Sequence, residues 1–364
     1  MQNKFTLVCI NICVFLFLLL GIECAGQLAY FLKNGHPLLV GEKFVNDELF
    51  ERHPFLGTRV KKNVVVHRKE GIITTTGIGT RWTGAPADDK GLIKVALIGG
   101  STTFGSMVSD KDSWPALLQK MLGDQYAVIN YGTASFTTTE GIIQMALVVP
   151  EEHPDVVVFY EGWNDISNYH EPLLGADYYS HGIKQIEGNM ENERFKDTDW
   201  LWFQASQRIF LFKLAKIIRL HLLQQKTYLP MAYDTPDPFV DRIYHRNLQT
   251  LKLLAFGINP QIKVFFVPQV INNADFKTHH RPRPWSRFVN DQSMPKLMDH
   301  FNSLMNDLCL TGESNCHVVH EVLKVNWQSN DFKDDGHFNR QGGLKFAPII
   351  AAKIKANILS EQTK

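Results

Sequence analysis

Net charge is the first thing this sequence lacks. Its 38 Lys and Arg against 37 Asp and Glu leave a formal charge of +1, so no global field directs it to a nucleic acid or an acidic lipid surface. It also lacks any Asn-X-Ser/Thr acceptor, so an extracytoplasmic domain would carry no N-linked sugar. No H-E-x-x-H or C-x-x-C spacing occurs, and neither a metal nor an organic cofactor is expected. No internal repeat or low-complexity tract divides the chain. Cysteine is sparse, with five in 364 residues. Cys9, Cys13 and Cys24 lie in or beside one apolar run, and Cys309 and Cys316 bracket "CLTGESNC". Two readings of that last pair stand open: a small loop closed in an oxidising compartment, or two unrelated thiols.

What the sequence does have is one long hydrophobic run, "FTLVCINICVFLFLLLGI" from Phe5 to Ile22. It is uncharged and long enough to cross the hydrocarbon core of a bilayer. A cleaved signal peptide would have a shorter apolar core and small residues at its end, whereas Glu23 follows here. The expectation is an uncleaved anchor over residues 1–25. Lys4 keeps the short leading segment in the cytoplasm and sends the bulk of the chain across, with Lys33 as weak opposition on the other side. The catalytic domain is therefore expected outside the cytoplasm, periplasmic in a bacterium.

Residues 26–90 mix short apolar runs with glycine, proline and charge, and "NVVVH" and "GIITTTGIG" predict short strands in a connector. From Lys94 the pattern changes. "KVALIG", "YAVINY", "VVVFYEG", "IKVFFVP" and "HVVHEV" are continuous β-branched and aromatic runs that fit strands buried on both faces. Helical patterns lie between them: Trp114 to Leu122, Thr138 to Val149, Tyr244 to Ala255, Met294 to Leu310 and Gly342 to Ile358. This alternation predicts an α/β doubly wound parallel sheet over 91–364, with ligands beyond the strands' carboxyl ends. An insertion at about 171–241, Glu171 to Asp241, breaks the alternation. Inside it Trp200 to Gln225 predicts a long helix with Lys213, Lys216 and Arg219 on its polar face. That helix packs on the domain or lies on the membrane as a lid. "KTHHRPRPWSR", with His279 and His280, reads as a solvated basic loop or as a rim contact for an anionic group.

The first core strand ends in "GGSTTFG". A phosphate loop is one reading, since Gly100 opens a G-x-x-x-x-G spacing, but Ser-Met follows where a P-loop needs Lys-Ser/Thr. A flavodoxin-like flavin site would also place a Ser/Thr-rich loop there. Neither explains three further blocks. "INYGTAS" follows the second strand with Asn130 and Gly132, "YEGWNDIS" follows the third with Gly162, Asn164 and Asp165, and "DFKDDGHFNRQGG" places Asp334 three residues before His337.

Together and in this order the four blocks resemble the SGNH hydrolases, the GDSL-type esterase and lipase superfamily, over Ile98 to Gly343. Gly100 and Thr102 depart from the family's Gly-Asp-Ser-Leu, a variation familiar among its membrane-anchored bacterial members. The resemblance implies a three-layer α/β/α sandwich with a flavodoxin-like five-stranded parallel sheet. It implies Ser101 as nucleophile and His337 as the base that takes its proton. Asp334 would fix the imidazole tautomer, with Asp335 set aside by the family's Asp-x-x-His spacing. The backbone N–H groups of Ser101 and Gly132 and the amide of Asn164 would form the oxyanion hole. An α/β-hydrolase would show G-x-S-x-G and a distant acid instead.

The function so implied is a serine esterase acting on a carboxylic ester, short-chain or O-acetyl, of a small molecule, glycan or lipid. The same residues would serve an O-acyltransferase moving an acetyl group to or from a surface glycan. A third reading is a silent member that binds glycan or a membrane partner.

Overall fold

The computed structural model describes residues 2–35, 37–40, 48–171, 174–178, 205, 208–215, 217–218, 233–278, 285–286, 288–309 and 313–362. Most of the insertion expected over 171–241 lies outside them. So do much of the helix expected over Trp200 to Gln225, including Lys216 and Arg219, and both His279 and His280 of the basic loop. The chain divides into two compact units, Met1–Asn46 with Ile186–Pro230, and Asp47–Gln185 with Met231–Lys364.

The first unit contains α1 (Gln2–Asn34). Its stretch Lys4–Asn34 has a mean hydropathy of 2.8 over its most apolar window, long and apolar enough to span a membrane or to be a signal sequence. The helix runs unbroken through Glu23, whose carboxylate accepts hydrogen bonds from Gln27 Nε2 and from the backbone N–H groups of Phe210 and Leu211. Residues 210–215 are helical, in accord with the pattern seen there.

The second unit begins with two antiparallel hairpins, β1 (Phe50–His53) with β2 (Gly57–Val60) and β3 (Val65–Arg68) with β4 (Gly71–Thr74). Then come β5 (Ile93–Gly99), β6 (Tyr126–Asn130), β7 (Val156–Tyr160), β8 (Lys263–Phe266) and β9 (Cys316–Val318), all parallel in the order β6-β5-β7-β8-β9. This is the doubly wound sheet expected of the pattern, in the flavodoxin-like order that the resemblance implies.

Alternation along β5 explains the layers. Ala96 and Ile98 join one core with Val157, Phe159, Val264 and Phe266, under α4 (Thr138–Leu147), α5 (Pro238–Ile258), α6 (Asn273–Thr278) and α7 (Met294–Ser303). Val95 and Leu97 join the other with Val128, Val158 and Phe265, under α3 (Trp114–Leu122) and α8 (Arg340–Gln362). A sheet buried on both faces needs apolar residues at every position, which is why the runs were continuous. Local signals set the helix starts. Ser113 accepts from Ala116 N–H at α3, Thr137 and Glu140 form a capping box at α4, and Asp237 accepts from Phe239 N–H ahead of Pro238 at α5.

Two expectations are corrected. The strand expected over His317 to Val322 stops at Val318 and gives way to a 3-10 turn over His320–Lys324, because its neighbour β8 ends at Phe266 and offers no partner beyond. The helix expected over Met294 to Leu310 ends at Ser303, and the chain continues as tight turns. Cys309 and Cys316 are joined as a disulfide, so the closed-loop reading of that pair is the one realised.

Candidate active site

The sheet brings the sequence blocks to its carboxyl edge. Ser101 opens α2 (Ser101–Phe104), a single turn directly after β5. Being first in a helix, its N–H has no intrahelical partner. The preceding glycine is required by crowding. A Cβ on Gly100 would lie 2.5 Å from Asn164 Nδ2 and 3.1 Å from the Phe136 carbonyl. Only a bare backbone lets the loop after β7 approach the turn after β5 so closely.

His337 and Asp334 lie between β9 and α8. His337 Nδ1 is 2.9 Å from both Asp334 Oδ1 and Oδ2, and His337 Nε2 is 2.8 Å from Ser101 Oγ. Asp334 Oδ1 also accepts the N–H groups of Gly336 and His337, at 3.0 and 2.9 Å. Burial works to raise the Asp334 carboxyl, but the hydrogen bond and charge of His337 and those two N–H donors prevail and hold it below its ordinary value. It is the Asp334 carboxylate that meets the imidazole; of Asp335, the backbone carbonyl accepts the Asn272 N–H at 2.7 Å.

Asn164 is buried after β7, and its Nδ2 donates to the Phe136 carbonyl at 2.7 Å. Its own carbonyl accepts from Ser167 Oγ at 2.6 Å and Asn168 Nδ2 at 3.3 Å, which fixes the residue in place. Gly132 follows β6 and differs from expectation in one respect. Its N–H donates to Asn130 Oδ1 at 2.9 Å, so that donor is engaged within the chain. Its closeness is plain, since a Cβ there would lie 2.4 Å from Phe104 N.

Beneath these residues sit buried acids. Asp165 accepts from Thr138 N–H at 3.1 Å, Thr138 Oγ1 at 2.6 Å and Tyr178 Oη at 2.8 Å. Burial pushes its carboxyl up to about 6 even against those donors. Glu161, wholly buried beside the charges of Asp165 and Glu140, is pushed well above the carboxylate range, and its Oε1 has no hydrogen-bond partner among the described residues.

Arg81, in the segment before β5, had no role in the sequence reading. It is fully buried and reaches the carbonyls that follow Ser101. Three of its acceptors are backbone carbonyls, which no side-chain pattern marks, and the fourth, Asp110, lies 29 residues along the chain; the only cue was an arginine inside the otherwise uncharged "GIGTRWTGA".

A family model described as GDSL-like lipase/acylhydrolase matches residues 97–343. No curated protein matches the chain. Among solved structures, a GDSL-like lipase from Bacteroides thetaiotaomicron is 14% identical at a TM-score of 0.40, over 76% of this chain and 92% of that one. A lipase/acylhydrolase from Enterococcus faecalis is 15% identical at 0.41, over 73% and 96%. An acetyl-xylooligosaccharide esterase from Geobacillus is 14% identical at 0.39, over 75% and 96%. At these scores the likenesses carry no conclusion about chemistry.

Proposed function

Because the chain belongs to the GDSL-like lipase/acylhydrolase family and is thereby a hydrolase of ester bonds, we propose that it cleaves a carboxylic ester through an acyl-serine intermediate formed on Ser101. The observation that carries this reading is the continuous relay from Asp334 through His337 to Ser101 Oγ, with contacts of 2.9 and 2.8 Å.

In the first half-reaction Ser101 Oγ attacks the ester carbonyl carbon while His337 Nε2 takes the hydroxyl proton. Asp334 holds the Nδ1 proton and favours the imidazolium that forms. The carbonyl oxygen becomes an oxyanion facing the Ser101 N–H and the Asn164 amide. The tetrahedral intermediate collapses, the bond to the alcohol oxygen breaks, and His337 returns the proton to the departing alkoxide. Water then repeats the sequence on the acyl-serine, releasing the carboxylic acid and restoring Ser101.

We further propose that α1 anchors the protein in a membrane with the catalytic unit on an oxidising side. The Cys309–Cys316 disulfide supports this, since such bonds persist outside the reducing cytoplasm.

The test is hydrolysis of p-nitrophenyl acetate, butyrate and octanoate by the full chain in detergent, beside Ser101→Ala, with fluorophosphonate labelling of both. Turnover and labelling that disappear together in Ser101→Ala are expected, and the chain-length profile reads the size of the acyl pocket. Labelling without turnover would favour transfer of the acyl group to an alcohol acceptor. Folded protein with neither would sink the reading.

A further inference from the structure

Arg81 precedes the residues matched by the family, which begin at 97, and is nonetheless completely buried. A guanidinium shut away from water is costly unless its donors are filled. Here Nη1 donates to the Phe104 carbonyl at 2.8 Å and also to that of Gly105. Nη2 donates to the Val108 carbonyl at 2.7 Å, and Nε faces Asp110 Oδ1 at 3.4 Å. The cation also lies 5.0 Å from the centre of the Phe104 ring. Burial lowers its pKa to about 10 against the pull of Asp110, which leaves it charged at neutral pH.

Those three carbonyls belong to the chain as it leaves α2, the turn that Ser101 begins. Carbonyls at a helix end lack intrahelical partners, and a cation there is favourable. From another side Asn130 Nδ2 donates to the Thr103 carbonyl at 3.1 Å, while Asn130 Oδ1 takes the Gly132 N–H. The two residues are themselves joined, because Arg81 N–H donates to the Asn130 carbonyl at 3.1 Å.

We propose that Arg81 and Asn130 form a clamp that positions the nucleophile. Arg81 grips the carbonyl end of the Ser101 turn, and Asn130 ties the same turn to Gly132. Together they fix the turn that carries Ser101 Oγ and the Ser101 N–H, from its far end through the Phe104 carbonyl and from its side through the Thr103 carbonyl. Both are positioning residues and touch no reacting atom; the inference rests on the reading of Ser101 as nucleophile. It follows that the esterase unit begins upstream of Arg81, not at the first strand of the sheet.

The test compares Arg81→Lys, Arg81→Ala and Asn130→Ala with the unaltered full chain on p-nitrophenyl acetate, with sites counted by fluorophosphonate titrated to completion. A misplacement of about 1 Å costs about 10²-fold, so kcat per titrated site should fall by that order in Arg81→Lys and Asn130→Ala with KM little changed. Added guanidinium ion should restore part of kcat to Arg81→Ala and none to Asn130→Ala. A merely structural role would lower the melting temperature and the number of sites but leave kcat per site intact, and that result overturns the clamp. If Arg81→Lys does not fold, unchanged kcat per site in Asn130→Ala overturns it alone. An unaltered chain without turnover or labelling overturns the serine-esterase reading instead.

Discussion

Gly100 is where one atom decides the site. A methyl group there would stand 2.5 Å from Asn164 Nδ2, closer than any carbon can approach without displacing it. Gly100→Ala should therefore act as an indirect loss of the Asn164 donor. Removing one oxyanion donor costs about 2.7 to 4 kcal/mol of transition-state stabilisation, a fall of about 10² to 10³ in kcat. Asn164→Ala should show that fall, and Gly100→Ala a fall of the same order, while both still take up fluorophosphonate because Ser101 and His337 are untouched. Steady-state kinetics of the two single variants and the double variant would check this. If the losses multiplied fully, the two residues would not be acting through one donor.

The loop after β7 and the start of α4 are joined at Asp165, which accepts both the N–H and the hydroxyl of Thr138. The pH sign follows from its carboxyl being pushed up to about 6 by burial. A group whose folded value is raised gives its full stability below the unfolded value, about 4, and loses it as pH rises through about 6. Asp334 has the opposite sign. Held below its ordinary value, it contributes above about 4 and is lost as pH falls through its folded value. The melting temperature of Asp165→Asn, measured from pH 4 to 7, should improve relative to the unaltered chain as pH rises. A difference independent of pH would show that Asp165 titrates normally.

At this same scale one sees why some elements were legible and others were not. The five strands announced themselves because burial on both faces forces unbroken apolar runs. The Ser101, Asn164 and His337 blocks were legible because loops at a sheet edge carry their chemistry in side-chain type. The premature end of β9 was hidden, since it depends on where β8 stops, and Arg81 was hidden because it recognises carbonyls that every residue possesses.

For the whole molecule the decisive pair of features is an apolar helix and one disulfide. The 31 residues of Lys4–Asn34 extend about 46 Å as helix, more than the roughly 30 Å of a bilayer core. The helix passes through Glu23, where a cleaved leader would need small residues. The Cys309–Cys316 bond lies in the unit that carries Ser101, in keeping with the proposal that this unit works in an oxidising compartment. Closing so short a loop stabilises by about 2.5 kcal/mol in the chain-entropy relation, so Cys316→Ser should lose stability of that order, read by urea denaturation. The sharper measurement traps thiols in intact cells before lysis and maps which cysteines are alkylated. Cys309 and Cys316 should become reactive only after reduction, and a reporter that functions only outside the cytoplasm should be active when fused after Lys364. Free thiols at both positions together with a reporter active only in the cytoplasm would place the esterase on the opposite side, and its substrate would then have to be sought among cytoplasmic esters.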